Sequence, residues 1–173
     1  MKKGMTRPKI WIISLLFIVV DIFLTGSSFY LAAMIRMVVD KPLGLAPVSW
    51  ATVLSMAQLG ALFTIGMFFF QGLYPGYGLT AVKELEKMSK SVSIGFVLLT
   101  TLSYLNKAFL IFPRSIILMA WLISIILLPI ARFIVRNLLS RTRIYGVPVI
   151  VFGDGSWAQD VINSLNRVKR LGW

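Results

Sequence analysis

The sequence predicts an all-α membrane bundle of four transmembrane helices, followed by the first strand, turn and helix of a Rossmann-like α/β domain. Three observations carry that expectation. The 173-residue chain is 58% hydrophobic, has a mean hydropathy of +0.85 and is only 14% charged, where a soluble domain carries about 25% charged residues. Its apolar residues gather in four runs of roughly 20 or more, the length that crosses a ~30 Å hydrocarbon core. After Arg143 the pattern changes to a short β-type run, a glycine turn and helical spacing.

The first run covers about residues 10–35 and is interrupted only by Asp21. Lys2, Lys3, Arg7 and Lys9 before it resemble the basic start of a signal peptide. The run is too long for one and no small-x-small site follows it, so a retained helix is expected. The second run, about 50–73, carries no charge and includes Met67, Phe68, Phe69 and Phe70. The third, about 92–112, is broken late by Asn106 and Lys107. The fourth, about 115–135, has an apolar body from Ile116 to Leu128, with Pro129 and Arg132 marking its end.

Charge placement orients these spans. With the N-terminus inside, fourteen of the 18 Lys and Arg residues fall on cytoplasmic segments. Arg36, Lys41, Lys107 and Arg114 make up the four outside. The positive-inside rule therefore expects both termini in the cytoplasm, and the net charge of +12 needs no nucleic acid to account for it. No basic stripe interleaved with aromatics supports nucleic-acid binding either. Membrane lipids are the first partners expected, because basic flanks meet anionic headgroups.

The outer connections are short, with Pro42, Gly44 and Pro47 in the first and Pro113 in the second. The cytoplasmic loop, 74–91, is richer. Pro75, Gly76 and Gly78 are expected to end the second helix, with Tyr74 and Tyr77 as interfacial rings. Thr80 then suits an N-cap, and pairs such as Glu84 with Lys87 support a helix. Val82, Leu85, Met88 and Val92 at helical spacing fit a short amphipathic helix along the headgroups. An early start of the third span fits the same residues equally well.

Chemistry-bearing residues are few. There is no Cys and no His, which removes disulfides, thiol nucleophiles and imidazole bases. Asp21, about eleven residues into the first span, is expected near the bilayer centre, facing the bundle. It is either a functional site or, as preferred here, the acceptor of an interhelical hydrogen bond from a residue such as Gln58, Thr100 or Ser103. Glu84 and Glu86, two residues apart on a helix, point to different sides and cannot share a metal or a proton. They read as solvated interfacial charges. No metal site is expected in this chain.

The transmembrane module is assigned to 1–143 and the Rossmann-like segment to 144–173. There, Val147 to Phe152 reads as a strand, and Gly153, Gly155 and Ala158 form G-x-G-x-x-A before a helix with Val161, Ile162, Leu165 and Val168. Gly153, Gly155 and Ala158 are the candidate cofactor-contacting positions. Asp154 beside the place of a pyrophosphate argues against tight binding, so the preferred reading is a Rossmann-like start that binds no nucleotide. One strand and one helix cannot bury an α/β core, so the expected chain is a fragment of a longer polypeptide, or one completed by another chain.

The four spans, the segment Leu73-Tyr74-Pro75-Gly76-Tyr77-Gly78-Leu79 running into Val82-x-Glu84-Leu85, and the strand-glycine-helix segment resemble the N-terminal region of bacterial polyisoprenyl-phosphate sugar-1-phosphate transferases. The likeness is to undecaprenyl-phosphate galactose or glucose phosphotransferases that begin O-antigen, capsule or exopolysaccharide synthesis. It implies undecaprenyl phosphate and a second copy of the chain as partners. In that family a later domain carries a re-entrant helix and an Asp-Glu pair working with magnesium. This chain has no counterpart of those catalytic residues and is expected to be inactive alone, with no cofactor of its own. Two alternatives stay open: the membrane anchor of a nucleotide-sugar dehydratase or epimerase, and a stand-alone small transporter.

Overall fold

The structure, a computed structural model, describes residues 7–43, 48–74, 80–105 and 112–140 together with Gly155. Four helices account for nearly all of them: α1 (Arg7–Leu43), α2 (Trp50–Phe70), α3 (Ala81–Leu105) and α4 (Arg114–Ser140). All four are long and apolar enough to cross a membrane, as a multi-pass membrane protein requires. No strand occurs among the described residues. The predicted strand and helix of segment 144–173 lie outside them, apart from Gly155.

Helix α1 packs on α2 and α4, and α3 packs on the same two, so the helices stand in a ring of sequential neighbours. Polar contacts fix the direction of α1 against α4. Arg36 reaches Ser115, Ser28 meets Ser124, and Asp21 meets Arg132, so one helix descends as the other climbs. The bundle thus has two ends, one at Arg36 and Arg114 and the other at Asp21 and Arg132.

Several boundaries differ from the sequence expectation. Helix α1 is longer than its apolar run, with 37 residues. Helix α2 stops at Phe70, and the residue that turns the chain is Gly72, at φ 66°, upstream of the expected Pro75. Leu73 N–H donates to the Phe68 carbonyl and Gly72 N–H to the Phe69 carbonyl, the paired bonds of a Schellman ending, which the left-handed backbone of glycine permits. Thr80 accepts from Lys83 N–H as an N-cap does, and α3 then runs unbroken from Ala81. The early start of the third span, rather than a separate interfacial helix, describes 81–91. Helix α4 continues through Pro129 to Ser140. Proline costs it one backbone bond, but a membrane helix tolerates that where neighbours supply polar partners.

The core is built by close approach. A Cβ on Gly60 would sit 2.5 Å from the Phe29 ring, so only glycine leaves room for Phe29 to stack on Phe96, with ring centroids 5.4 Å apart. A Cβ on Gly95 would meet the Thr64 backbone at 3.2 Å, which marks the tight α2–α3 crossing that small residues allow. Apolar side chains such as Leu62, Phe69, Val97, Leu118 and Ile126 face outward, as lipid-facing positions do.

Candidate functional site

One layer of the bundle concentrates its buried charge, and all four helices bring it together. Asp21 comes from α1, Glu84 from the first turn of α3, and Arg132 and Arg136 from α4, one turn apart. Leu73 and Tyr74 arrive from the turn after α2, aimed there by the Gly72 ending.

Arg132 is the hub. It is 2% exposed and is the largest of the fully buried side chains. Its Nη2 donates to Asp21 Oδ2 at 2.7 Å, and its Nη1 reaches the Leu73 carbonyl at 3.4 Å and lies 3.8 Å from Glu84 Oε1. Three aromatic rings enclose the guanidinium: Phe17, Phe68 and Tyr74 lie 5.2, 5.1 and 5.0 Å from it. A flat, weakly hydrated cation is suited to such faces where an ammonium is not. The Tyr74 hydroxyl donates to the same Asp21 Oδ2 at 2.7 Å. Arg136 Nη1 pairs with Glu84 Oε2 at 2.8 Å.

Two guanidiniums therefore face two carboxylates, and the cluster is neutral by itself. Burying one of these charges alone would cost several kcal/mol, roughly, which pairing and hydrogen bonding offset. Saturation is incomplete: Asp21 Oδ1 and Arg132 Nε are buried without a hydrogen-bond partner. Tyr74 lies past the end of the α2 span. Burial first, and the Asp21 carboxylate second, push its phenol well above the ordinary tyrosine range, so it stays a donor.

The structure corrects two expectations. Asp21 has partners other than Gln58, Thr100 or Ser103, because α4 and the turn after α2 reach it first. Along α1 it is level with that turn, about 10 Å from the Ser28–Ser124 contact at ~1.5 Å per residue. Glu84 is buried rather than solvated, because it faces α4 and its two arginines. Glu86, two residues on, is exposed, as the helical spacing expects.

Pattern places Tyr74 at the interface and Arg132 at the end of the fourth span, whereas the structure draws both, with Arg136, into the buried cluster. A usable signal exists: Arg132 and Arg136 stand four apart within the still largely apolar stretch Ile130 to Leu139, where cations need a buried partner. Of the candidate cofactor positions, Gly155 is exposed with φ 79°, the left-handed conformation of a glycine turn. Gly153 and Ala158 lie outside the described residues. Among the described residues no three His, Cys, Asp or Glu side chains gather as a metal site. Comparison with known protein families, curated proteins and solved structures finds no match.

Proposed function

We propose that this chain is the membrane-anchoring and assembly module of an undecaprenyl-phosphate hexose-1-phosphate transferase of bacterial surface-polysaccharide synthesis. The supporting observation is that Leu73 and Tyr74, which open the Leu-Tyr-Pro-Gly-Tyr-Gly-Leu segment of the resemblance, are the residues that hold Arg132 and Asp21. In that position the segment works as a brace. A self-neutral cluster tying four helices together suits a fixed platform better than a carrier that must exchange charge. The module lies in the bacterial cytoplasmic membrane with both termini on the cytoplasmic side, and residues 144–173 begin a Rossmann-like domain there. Membrane lipids, undecaprenyl phosphate and a second copy of the chain are its partners.

Two experiments test this. The purified chain, given a UDP-hexose, undecaprenyl phosphate and magnesium, should transfer no sugar-1-phosphate; transfer would overturn the non-catalytic assignment. In the genomic reading frame beyond residue 173, a membrane domain with an Asp-Glu pair supports the transferase. A second glycine-rich fingerprint with a Tyr-x-x-x-Lys motif would favour a dehydratase or epimerase anchor instead. Orientation is accessible because the chain contains no cysteine. A single cysteine replacing Lys41 should react with an impermeant maleimide from outside the cell, and one replacing Arg143 should not.

A further inference from the structure

The end of the bundle opposite the ionic cluster carries a different feature. Between α3 and α4 lies a cavity of about 470 Å³, walled by Phe96, Val97, Ile117, Leu118 and Trp121 with Tyr104 and Arg114 at its end. Its polar atoms are largely spent within the protein. Trp121 Nε1 donates to Ser93 Oγ at 3.2 Å, and the Thr100 hydroxyl donates back to the Phe96 carbonyl at 2.8 Å. The walls that remain are apolar. At the end of the groove the exposed Arg114 guanidinium lies 4.2 Å from the centre of the Tyr104 ring, and Arg36 donates to the neighbouring Ser115 hydroxyl at 3.0 Å.

Length and charge identify the occupant. From Ser93 to Tyr104 the groove follows α3 for eleven residues, about 16 Å, or half of a ~30 Å hydrocarbon core. That is the depth of one lipid leaflet. Of the carboxylates in the described helices, Asp21, Glu84 and Glu86 belong to the other end, Glu86 lying about 27 Å from Tyr104 along α3; Asp40 stands on α1 one turn beyond Arg36, where the cations Arg36, Lys41 and Arg114 outnumber it. Arg114 begins α4, whose first turn holds no acidic residue, so the partial positive charge of the helix start adds to its own.

We infer that the α3–α4 groove is a binding site for one anionic phospholipid, with an acyl chain along the apolar walls and the headgroup phosphate on Arg114. A zwitterionic lipid offers the same tail but a weaker net attraction, so the site prefers phosphatidylglycerol over phosphatidylcholine.

Native mass spectrometry of the full chain in mild detergent, titrated with each lipid, tests this. Wild-type protein should retain phosphatidylglycerol in preference to phosphatidylcholine. Arg114→Gln should lower phosphatidylglycerol affinity about fivefold and leave phosphatidylcholine unchanged. Val97→Trp, which fills the groove from an exposed position, should weaken both, and Leu118→Trp repeats that test from the other wall should the first variant fail to fold. Unchanged phosphatidylglycerol binding in Arg114→Gln, or unchanged binding of both lipids in a folded groove-filling variant, would overturn the site. So would glycerol phosphate competing as well as the intact lipid, since the walls would then contribute nothing.

Discussion

Asp21 and Arg132 are 111 residues apart in sequence and 2.7 Å apart in the fold. Both are sealed from solvent, and through Tyr74, Glu84 and Arg136 their contact draws in every helix of the bundle. Removing one partner leaves the other charge buried alone. Arg132→Met should therefore cost about 3–5 kcal/mol, read as a loss of thermal stability in detergent. Asp21→Leu together with Arg132→Met should recover most of it, a non-additivity that a double-mutant cycle measures directly. If the two single losses simply add, the pair is not the coupling element.

Tyr74 offers a finer probe because its ring and its hydroxyl do separate things. Tyr74→Phe keeps a ring beside Arg132 and deletes the bond to Asp21, so the expected loss is about 1.5–3 kcal/mol, the range for hydrogen bonds to charged groups. Tyr74→Leu, which removes the ring as well, should lose more.

The same phenol predicts a pH response. Its folded value lies above the unfolded one, which is 10.0, so its contribution to stability is fully present below about pH 10 and fades as pH rises toward the folded value. Tyrosinate absorbance of the folded protein above pH 10 should fall short of that of the unfolded chain, and Tyr74→Phe should narrow the shortfall.

Glu84 and Glu86 make a matched pair. Both are carboxylates in the first turns of α3, yet Glu84 is buried between two arginines and Glu86 is exposed. Glu84→Gln should lower thermal stability clearly, and Glu86→Gln should leave it unchanged. Equal effects would place Glu84 in solvent.

Two glycines test the backbone and the packing separately. Gly72→Ala meets no atom within 4 Å, so its expected cost of about 1 kcal/mol is that of forcing a side chain into the left-handed region. Gly60→Ala drives a methyl into Phe29 and should cost about 1–3 kcal/mol; Phe29→Leu in the same chain should relieve part of that loss.

The four spans were legible because an uninterrupted apolar run of membrane length is too long and too greasy for the core of a small soluble domain, and Asp21 stood out as an acid inside one of them. Its partner was not legible. Arg132 closes an apolar run and so counts equally well as a flanking cation that orients the helix, and only the approach of α1 to α4 separates the two roles. Glu84 was hidden by its charged neighbours Lys83, Glu86 and Lys87, which lower local hydropathy without deciding which face of α3 meets α4. The end of α2 was misplaced because proline is the louder turn signal, whereas Gly72 does the turning three residues earlier.

The separation of Asp21 from Arg132 along the chain sets an order of assembly. At synthesis rates of about 5–20 residues per second, Asp21 is added to the chain roughly 5–20 s before Arg132. Once α3 is made, α1, α2 and α3 have contacts such as Phe29 with Phe96 and Tyr74 with Asp21, while Asp21 and Glu84 still lack their arginines. Helix α4 is thus the clasp of the bundle: it brings the two arginines that match Asp21 and Glu84.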